Sequence, residues 1–326
     1  MPKIGYFLST EEQTPQELVE QARLAEEAGF EALWISDHFH PWNDEQGQGP
    51  LVWSIIGAIS QACRLPVTTA VTCPTVRIHP AVVAQAAATC SVLLDGRFVL
   101  GVGSGEALNE HIFGDAWPSA AVRLEMLEEA VAVMRELWKG EYTYHRGTHY
   151  TVENARIYTL PPEPPKVYVS AFGDKALDLA IRIGDGFVTT KPDADSVKRF
   201  KAEAGADKVT QAGYKVAWAP TEDEGVEHAH RLWANAGLPG ELAQVLPSPK
   251  HFEQASTLVT EDSTRKSTVC GRDLGRHVEQ FEEYQDAGFD EIFVSNIGPY
   301  YKEFFAFYRD EVLPRVRAGA AGRDAE

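Results

Sequence analysis

Cysteine is scarce in this chain of 326 residues, with four copies at Cys63, Cys73, Cys90 and Cys270. They are scattered and form no CxxC pair, which argues against a zinc site or a disulfide framework and fits a reducing cytoplasm. Dense runs of Lys or Arg are missing as well, and the net charge is −18. Nucleic acid and anionic membrane surfaces are therefore not expected as partners. No window approaches the uninterrupted apolar length needed to span a bilayer. Met1-Pro2-Lys3 leads directly into a strand-like run without the charged lead and apolar core of a secretory leader, so a cytoplasmic protein is expected. No GxGxxG follows the first strand and no GxSxG elbow surrounds Gly103-Ser104-Gly105. Those absences weaken a doubly wound dinucleotide fold and a serine hydrolase respectively.

The patterning that is present repeats one unit. Ile4 to Leu8 reads as a buried strand, and Pro15 opens a helical pattern with Leu18, Ala22 and Ala25 on one face that Gly29 closes. Further strands are predicted at 31–35, 65–71, 97–102, 167–171, 185–190, 213–218 and 291–295, with helical patterns between them. The clearest helix follows Ser119, where Leu124, Leu127, Val131, Met134 and Trp138 recur at steps of three and four. Ala28-Gly29-Phe30-Glu31 to Asp37 is echoed by Ala287-Gly288-Phe289-Asp290 to Asn296, and more loosely around Gly184. Eight strands each backed by a helix favour a (β/α)8 TIM barrel over an open sheet. The expected domain spans residues 1–317, with insertions at about 141–165 and 236–271 and a flexible tail at 318–326. The first insertion reads as a hairpin excursion, and the second as a polar lid or binding loop.

Chemistry-bearing residues collect just past three of those strands. Asp37, His38, His40 and Trp42 follow the second, Ala70-Val71-Thr72-Cys73 closes the third, and Ser104, Gly105, Glu106 and Asn109 follow the fourth. In a barrel these loops converge on one mouth, giving an imidazole, a carboxyl group and an aromatic wall suited to proton movement coupled to hydride transfer. Taken alone, Glu106 reads equally well as an acid in a first helical turn. A metal site from Asp37, His38 and His40 is disfavoured, because the histidines alternate with apolar Phe39 in a loop. Lys191 and the group Arg265, Lys266, Arg272, Arg276 and His277 are the available anion binders.

Ser36 to Trp42, Thr69-Ala70-Val71 with Pro74-Thr75, Gly101 to Glu110 and Gly184 to Phe187 together resemble the luciferase-like flavin and deazaflavin oxidoreductases. Within them the sequence is most similar to the coenzyme F420-dependent glucose-6-phosphate dehydrogenase group, over nearly the whole chain. The resemblance implies a luciferase-like (β/α)8 barrel, a homodimer, and hydride transfer from C1 of a sugar phosphate to C5 of the deazaflavin. By the same resemblance His38 is the base, Glu106 the acid near the ring's N1, Trp42 the shield, and Glu11 a further acid at the mouth. Asp37, Ala70, Val71, Cys73, Ser104, Gly105 and Asn109 match cofactor contacts, with a non-proline cis peptide at Ala70–Val71. Ala171, Phe172 and Gly173 fall where the cofactor phosphate would lie. Thr190, Lys191 and Lys266 stand at substrate-phosphate positions, and a third basic position falls near Ala243. An FMN-dependent monooxygenase or reductase, and a barrel that binds without catalysing, remain open alternatives.

Overall fold

Helix starts and stops follow local chemistry. Thr14 caps the helix Pro15–Ala28 reciprocally: the Glu17 amide donates to its hydroxyl, and the Thr14 amide donates to the Glu17 carboxylate at 2.9 Å. Gly29 ends that helix at φ 91°, and Gly288 stands at φ 89° before the last strand. The internal echo is thus a repeated left-handed helix stop feeding a buried strand.

The computed structural model describes residues 1–323, the last four as backbone only. The strands are β1 (Lys3–Leu8), β2 (Ala32–Ile35), β3 (Val67–Thr69), β4 (Phe98–Val102), β5 (Thr143–Arg146), β6 (Thr151–Ala155), β7 (Lys166–Ser170), β8 (Gly186–Thr189), β9 (Val209–Ala217), β10 (Val269–Cys270) and β11 (Glu291–Asn296). Strands β9, β11, β1, β2, β3, β4, β7 and β8 pair in that order, and a β8–β9 pairing closes the ring. All of these pairs are parallel. The protein is a (β/α)8 barrel. No helix among the described residues is long and apolar enough to cross a membrane.

Strand β9 starts at Val209, four residues earlier than its periodicity predicts. Those early residues pair with β8, which stops where Thr189 meets Ala212, so the rest of β9 leaves an upper edge free on that side. β10 fills that edge, with Val269 opposite Val216.

Aromatic side chains plug the middle of the barrel. Trp34 stacks on Phe293 at 4.5 Å, Phe7 meets Trp34 edge-on at 5.6 Å, and the Trp34 indole donates to Gln211 at 2.8 Å. Glycine makes the room: a Cβ on Gly5 would lie 2.2 Å from the Phe293 ring, and one on Gly213 would lie 2.3 Å from Trp34. Above this plug the strands end in the loops that carry the ionisable groups.

Both insertions are ordered. In the first, β5 and β6 pair as an antiparallel hairpin. Glu129 of the helix Ala120–Leu137 holds its turn by accepting from the amides of Thr148, His149 and Tyr150 and from His145 Nε2. The second is not a loop. It folds into the short helices Leu242–Val245, Pro249–Ser256 and Glu261–Ser267 before β10, with Pro249 at a helix start where proline is tolerated. The final helix runs from Leu313 to Arg323, through residues read from sequence as a tail; residues 324–326 lie outside the described ones.

Candidate active site

His38 stands on the loop after β2, half-buried, with both ring nitrogens engaged. Nδ1 lies 3.1 Å from the His40 carbonyl oxygen and 3.1 Å from Asn109 Nδ2. Nε2 faces Glu11 Oε1 at 3.4 Å. Asn109 is oriented by its own acceptor, since Oδ1 receives the amides of Phe39 at 2.9 Å and His40 at 3.1 Å. This one side chain therefore ties the loop after β4 to the loop after β2, and it brings the stretch carrying Glu106 against the stretch carrying His38.

Glu11 comes from the loop after β1 and is buried. Its Oε2 accepts from Ser9 at 2.9 Å and Ser36 at 2.7 Å. Burial alone would raise this carboxyl, but His38, Lys215 and the Ser36 hydroxyl together hold it below its ordinary value. Its neighbour Glu12 accepts from the Trp233 indole and from the Gly298 amide, the latter at 3.0 Å. Burial dominates there and pushes the carboxyl up.

Trp42 closes one side, with its ring 5.0 Å from His38 and 5.0 Å edge-on from buried Phe252. Phe252 belongs to the second insertion, which also docks on the His38 loop through the Asp44 amide, donating to Glu253 at 3.0 Å. The preceding helix Glu222–Trp233 holds the same loop, its Leu232 carbonyl accepting from Asn43 and Gln46 at 2.9 and 2.8 Å. The insertion is a packed roof over the loop after β2.

Asp37 is committed inside the protein: Arg77 donates to one oxygen at 2.9 Å and Thr72 to the other at 2.8 Å. Arg77 also bridges to Glu110, so a buried cation braces the two loops from below. The peptide Ala70–Val71 is cis, as the resemblance implies. Cys73 is buried with its Sγ 2.9 Å from Thr75 Oγ1, and burial pushes the thiol well up. Gly105 has φ +82°, and a Cβ there would stand 2.5 Å from Cys73 Sγ. Ser104 and Glu106 are half-buried beside it.

At the neighbouring strand ends, Ala171 is buried, Phe172 exposed, and Gly173 begins the helix Asp174–Ile183 with no side-chain cap. Lys191 lies over the Phe172 ring at 5.9 Å, and exposed Thr190 accepts from Tyr284 through its carbonyl at 2.9 Å. The other proposed anion binders are placed differently. Lys266 is on an exposed helix and pairs with Asp262 at 2.6 Å. Arg265 and Arg276 pair with Glu222. His277 is a core residue: it bonds Tyr308 at 2.9 Å and the Gly271 carbonyl at 3.0 Å, so it is no surface anion binder.

Sequence reasoning missed Glu12, Trp233, Phe252, Arg77 and Lys215. A signal existed for Lys215, because a lysine between Gly213 and Ala217 lies on the inward-facing register of a buried strand. Phe252 carried none, since its place depends on how the insertion folds back, and Trp233 carried none because its partners Glu12 and Lys215 come from distant parts of the chain. A hollow of about 830 Å³ opens at the opposite end of the barrel, along strand starts such as Ala32, Phe98 and Lys166. The ionisable cluster is not there, and chemistry in this fold belongs to the other rim.

The family model described as luciferase-like monooxygenase matches residues 1–291. The chain belongs to the luciferase-like monooxygenase family. This luciferase-like chain is 34% identical to the F420-dependent glucose-6-phosphate dehydrogenase of Microbacterium testaceum, with 97% of each covered. It is 35% identical to the protein of that name from Nakamurella multipartita, again over 97% of each. An F420-dependent secondary alcohol dehydrogenase in complex with an F420-acetone adduct superposes on it with a TM-score of 0.89, at 31% identity over 97% of this chain and 99% of that one.

Proposed function

We propose that this protein oxidises an alcohol carbon of a small molecule with coenzyme F420, C1 of a glucose-6-phosphate-like sugar phosphate being the first substrate to test. The observation that carries the reading is His38 standing between Asn109 at one nitrogen and Glu11 at the other, at the mouth of a barrel whose full-length relatives bear that activity in their names. The residues suit the cofactor. Gly105 cannot carry a Cβ without meeting Cys73, and a Cβ on Gly103 would stand 2.6 Å from Val71, so this rim offers bare backbone to a flat ring. Gly173 starts its helix without a capping side chain, leaving amide donors at a positive helix end for a phosphate.

When bound, the deazaflavin supplies a hydride acceptor at its C5. The protein supplies the proton chemistry. A base at His38 Nε2 needs the ring proton on Nδ1, and the His40 carbonyl accepts it there at 3.1 Å. On taking the hydroxyl proton, His38 becomes a cation that the adjacent Glu11 carboxylate balances. Trp42 shields that pair from water, and Glu106 would be the carboxyl group beside the bound ring. Ala70, Val71, Ser104 and Asn109 line the same rim.

A second substrate reading, a small secondary alcohol, is favoured by the aromatic wall of Trp42, Phe252 and Trp233 and by the tie between Lys266 and Asp262. Steady-state F420 reduction with glucose-6-phosphate and with 2-propanol separates the two. The first reading expects the larger kcat/KM with the sugar phosphate and a raised KM in Lys191→Ala; turnover of the simple alcohol alone would discard it. Reduction of neither, with tight FMN binding and oxygen uptake, would discard the dehydrogenase. We extend the proposal to a cytoplasmic homodimer, supported by the family resemblance and checked by light scattering.

A further inference from the structure

Ser36 is the first residue past β2, two positions before His38, and it is buried. Its hydroxyl stands at the centre of a small closed network. The Thr10 amide donates to Ser36 Oγ at 2.9 Å, the Thr10 hydroxyl lies 2.9 Å from the same oxygen, and Ser36 Oγ lies 2.7 Å from Glu11 Oε2. Ser9, Thr10 and Glu11 are buried as well, so these polar groups satisfy one another inside the protein.

A hydroxyl carries one proton and two lone pairs. At Ser36 the Thr10 amide occupies one lone pair, since an N–H can only donate. Two arrangements of the remaining protons are then open. In the first, Thr10 donates its hydroxyl to Ser36, and Ser36 donates to an ionised Glu11. In the second, a protonated Glu11 donates to Ser36, Ser36 donates to Thr10, and Thr10 has to turn to the Ser36 carbonyl. The first keeps Thr10 on its shorter contact, 2.9 Å against 3.3 Å. It also places two hydroxyl donors on one carboxylate oxygen, Ser36 at 2.7 Å and Ser9 at 2.9 Å, and bonds to an ionised acceptor are roughly twice as strong as neutral ones. With Oε2 so engaged, Oε1 is the oxygen that faces His38 Nε2, at 3.4 Å.

The same hydroxyl joins two loops. Thr10 and Glu11 follow β1, whereas Ser36 and His38 follow β2. Ser36 therefore ties these loops on the Nε2 side of the imidazole, as Asn109 ties the loops after β2 and β4 on the Nδ1 side.

We propose that Ser36 is a positioning residue for the reaction: by donating to Glu11 Oε2 it keeps Oε1 turned toward His38, so that the imidazolium formed when His38 takes a proton meets a carboxylate. This rests on the dehydrogenase reading only where turnover is measured.

The test variant is Ser36→Ala, set beside Ser36→Thr, which keeps the hydroxyl. Stability alone does not discriminate, because alanine also strips the Thr10 amide of its acceptor. Two readouts do: the split between kcat and KM in F420 reduction, and the His38 ring titration followed by NMR in cofactor-free protein with labelled histidine. The sign follows from charge. Without the Ser36 donor, the Glu11 carboxyl keeps its proton to higher pH and is free to turn away; His38 loses a facing negative charge, and its imidazolium gives up its proton at lower pH. The other charges bearing on Glu11 are Lys215 of β9 and Glu12 of the same loop, and the variant leaves both in place. Elsewhere His38 faces neutral groups, namely the Asn109 amide, the His40 carbonyl and the Trp42 ring.

In Ser36→Ala, kcat is expected to fall about tenfold while KM changes less than about twofold. The His38 titration is expected to move down by about half a pH unit or more. Ser36→Thr should recover most of both. An unmoved His38 titration in the folded alanine variant, or an equal fall in both folded variants, would overturn the proposal and leave Ser36 a packing residue. Should the protein reduce no F420 at all, the titration still decides, so failure of the functional reading is told apart from failure of this one. Should Ser36→Ala not fold, neutron diffraction from wild type decides: the Ser36 hydroxyl proton lying toward Glu11 supports the proposal, and its lying toward Thr10 overturns it.

Discussion

At the residue scale, the site is defined less by its ionisable groups than by what fixes them. His38→Ala removes the proposed base and is expected to lower kcat by about 100-fold or more while leaving the melting temperature nearly unchanged; both are read on one preparation. Asn109→Ala acts on geometry. It strips the acceptor from the Phe39 and His40 amides and the side chain that stands 3.1 Å from His38 Nδ1. The expected results are a stability loss of about 1–3 kcal/mol in denaturant titration and a fall in kcat. The motif stretch after β2 was legible in the sequence because an acid, two histidines and a tryptophan rarely fall together past a buried strand. Glu11 needed the family resemblance, since nothing local marks it. Glu12 and Lys215 were illegible as partners because their proximity is created by barrel closure, which brings β1 beside β11 and β11 beside β9.

At the element scale, the two insertions behave as different objects. The hairpin β5–β6 is pinned by Glu129, whose carboxylate gathers three backbone amides and His145. Glu129→Ala is expected to speed hydrogen exchange at Thr148, His149 and Tyr150 by at least about tenfold, with loss of about 1–3 kcal/mol. Exchange confined to its wild-type rates would remove the pin from the explanation. The second insertion looked like a polar loop because its helices are short, and short helices show too few turns for apolar periodicity to register. Only Phe252 is fully buried in Pro249–Ser256, and a single apolar residue gives no pattern. Helix caps were legible where the residue itself does the capping, as at Gly29 and Ser119.

At the scale of the whole molecule, the barrel depends on its aromatic plug and on a few buried polar contacts. Trp34→Ala would leave a cavity beneath the site and is expected to cost about 3–5 kcal/mol in denaturant unfolding. His277 gives the fold an acid limit. Burial pushes its imidazole down to about 4 from an ordinary 6.5, against a bond to the Gly271 carbonyl. Its folded value is depressed, so the stabilisation is fully present above about pH 6.5 and is lost as pH falls toward about 4, where the buried ring must charge. His277→Gln should flatten that part of the stability-versus-pH curve, measured by urea titration at several pH values. The barrel itself was legible from eight strand patterns and a repeated helix stop, both local features; the roof and the charge cluster arise from long-range closure.

Anaerobic mixing of the protein with oxidised coenzyme F420 and an alcohol substrate, followed by the loss of deazaflavin absorbance, tests the central claim most directly. Wild-type protein should bleach the cofactor in proportion to substrate oxidised, and His38→Ala should do so about 100-fold more slowly while still binding F420. Bleaching at the same rate with and without the His38 imidazole would contradict it.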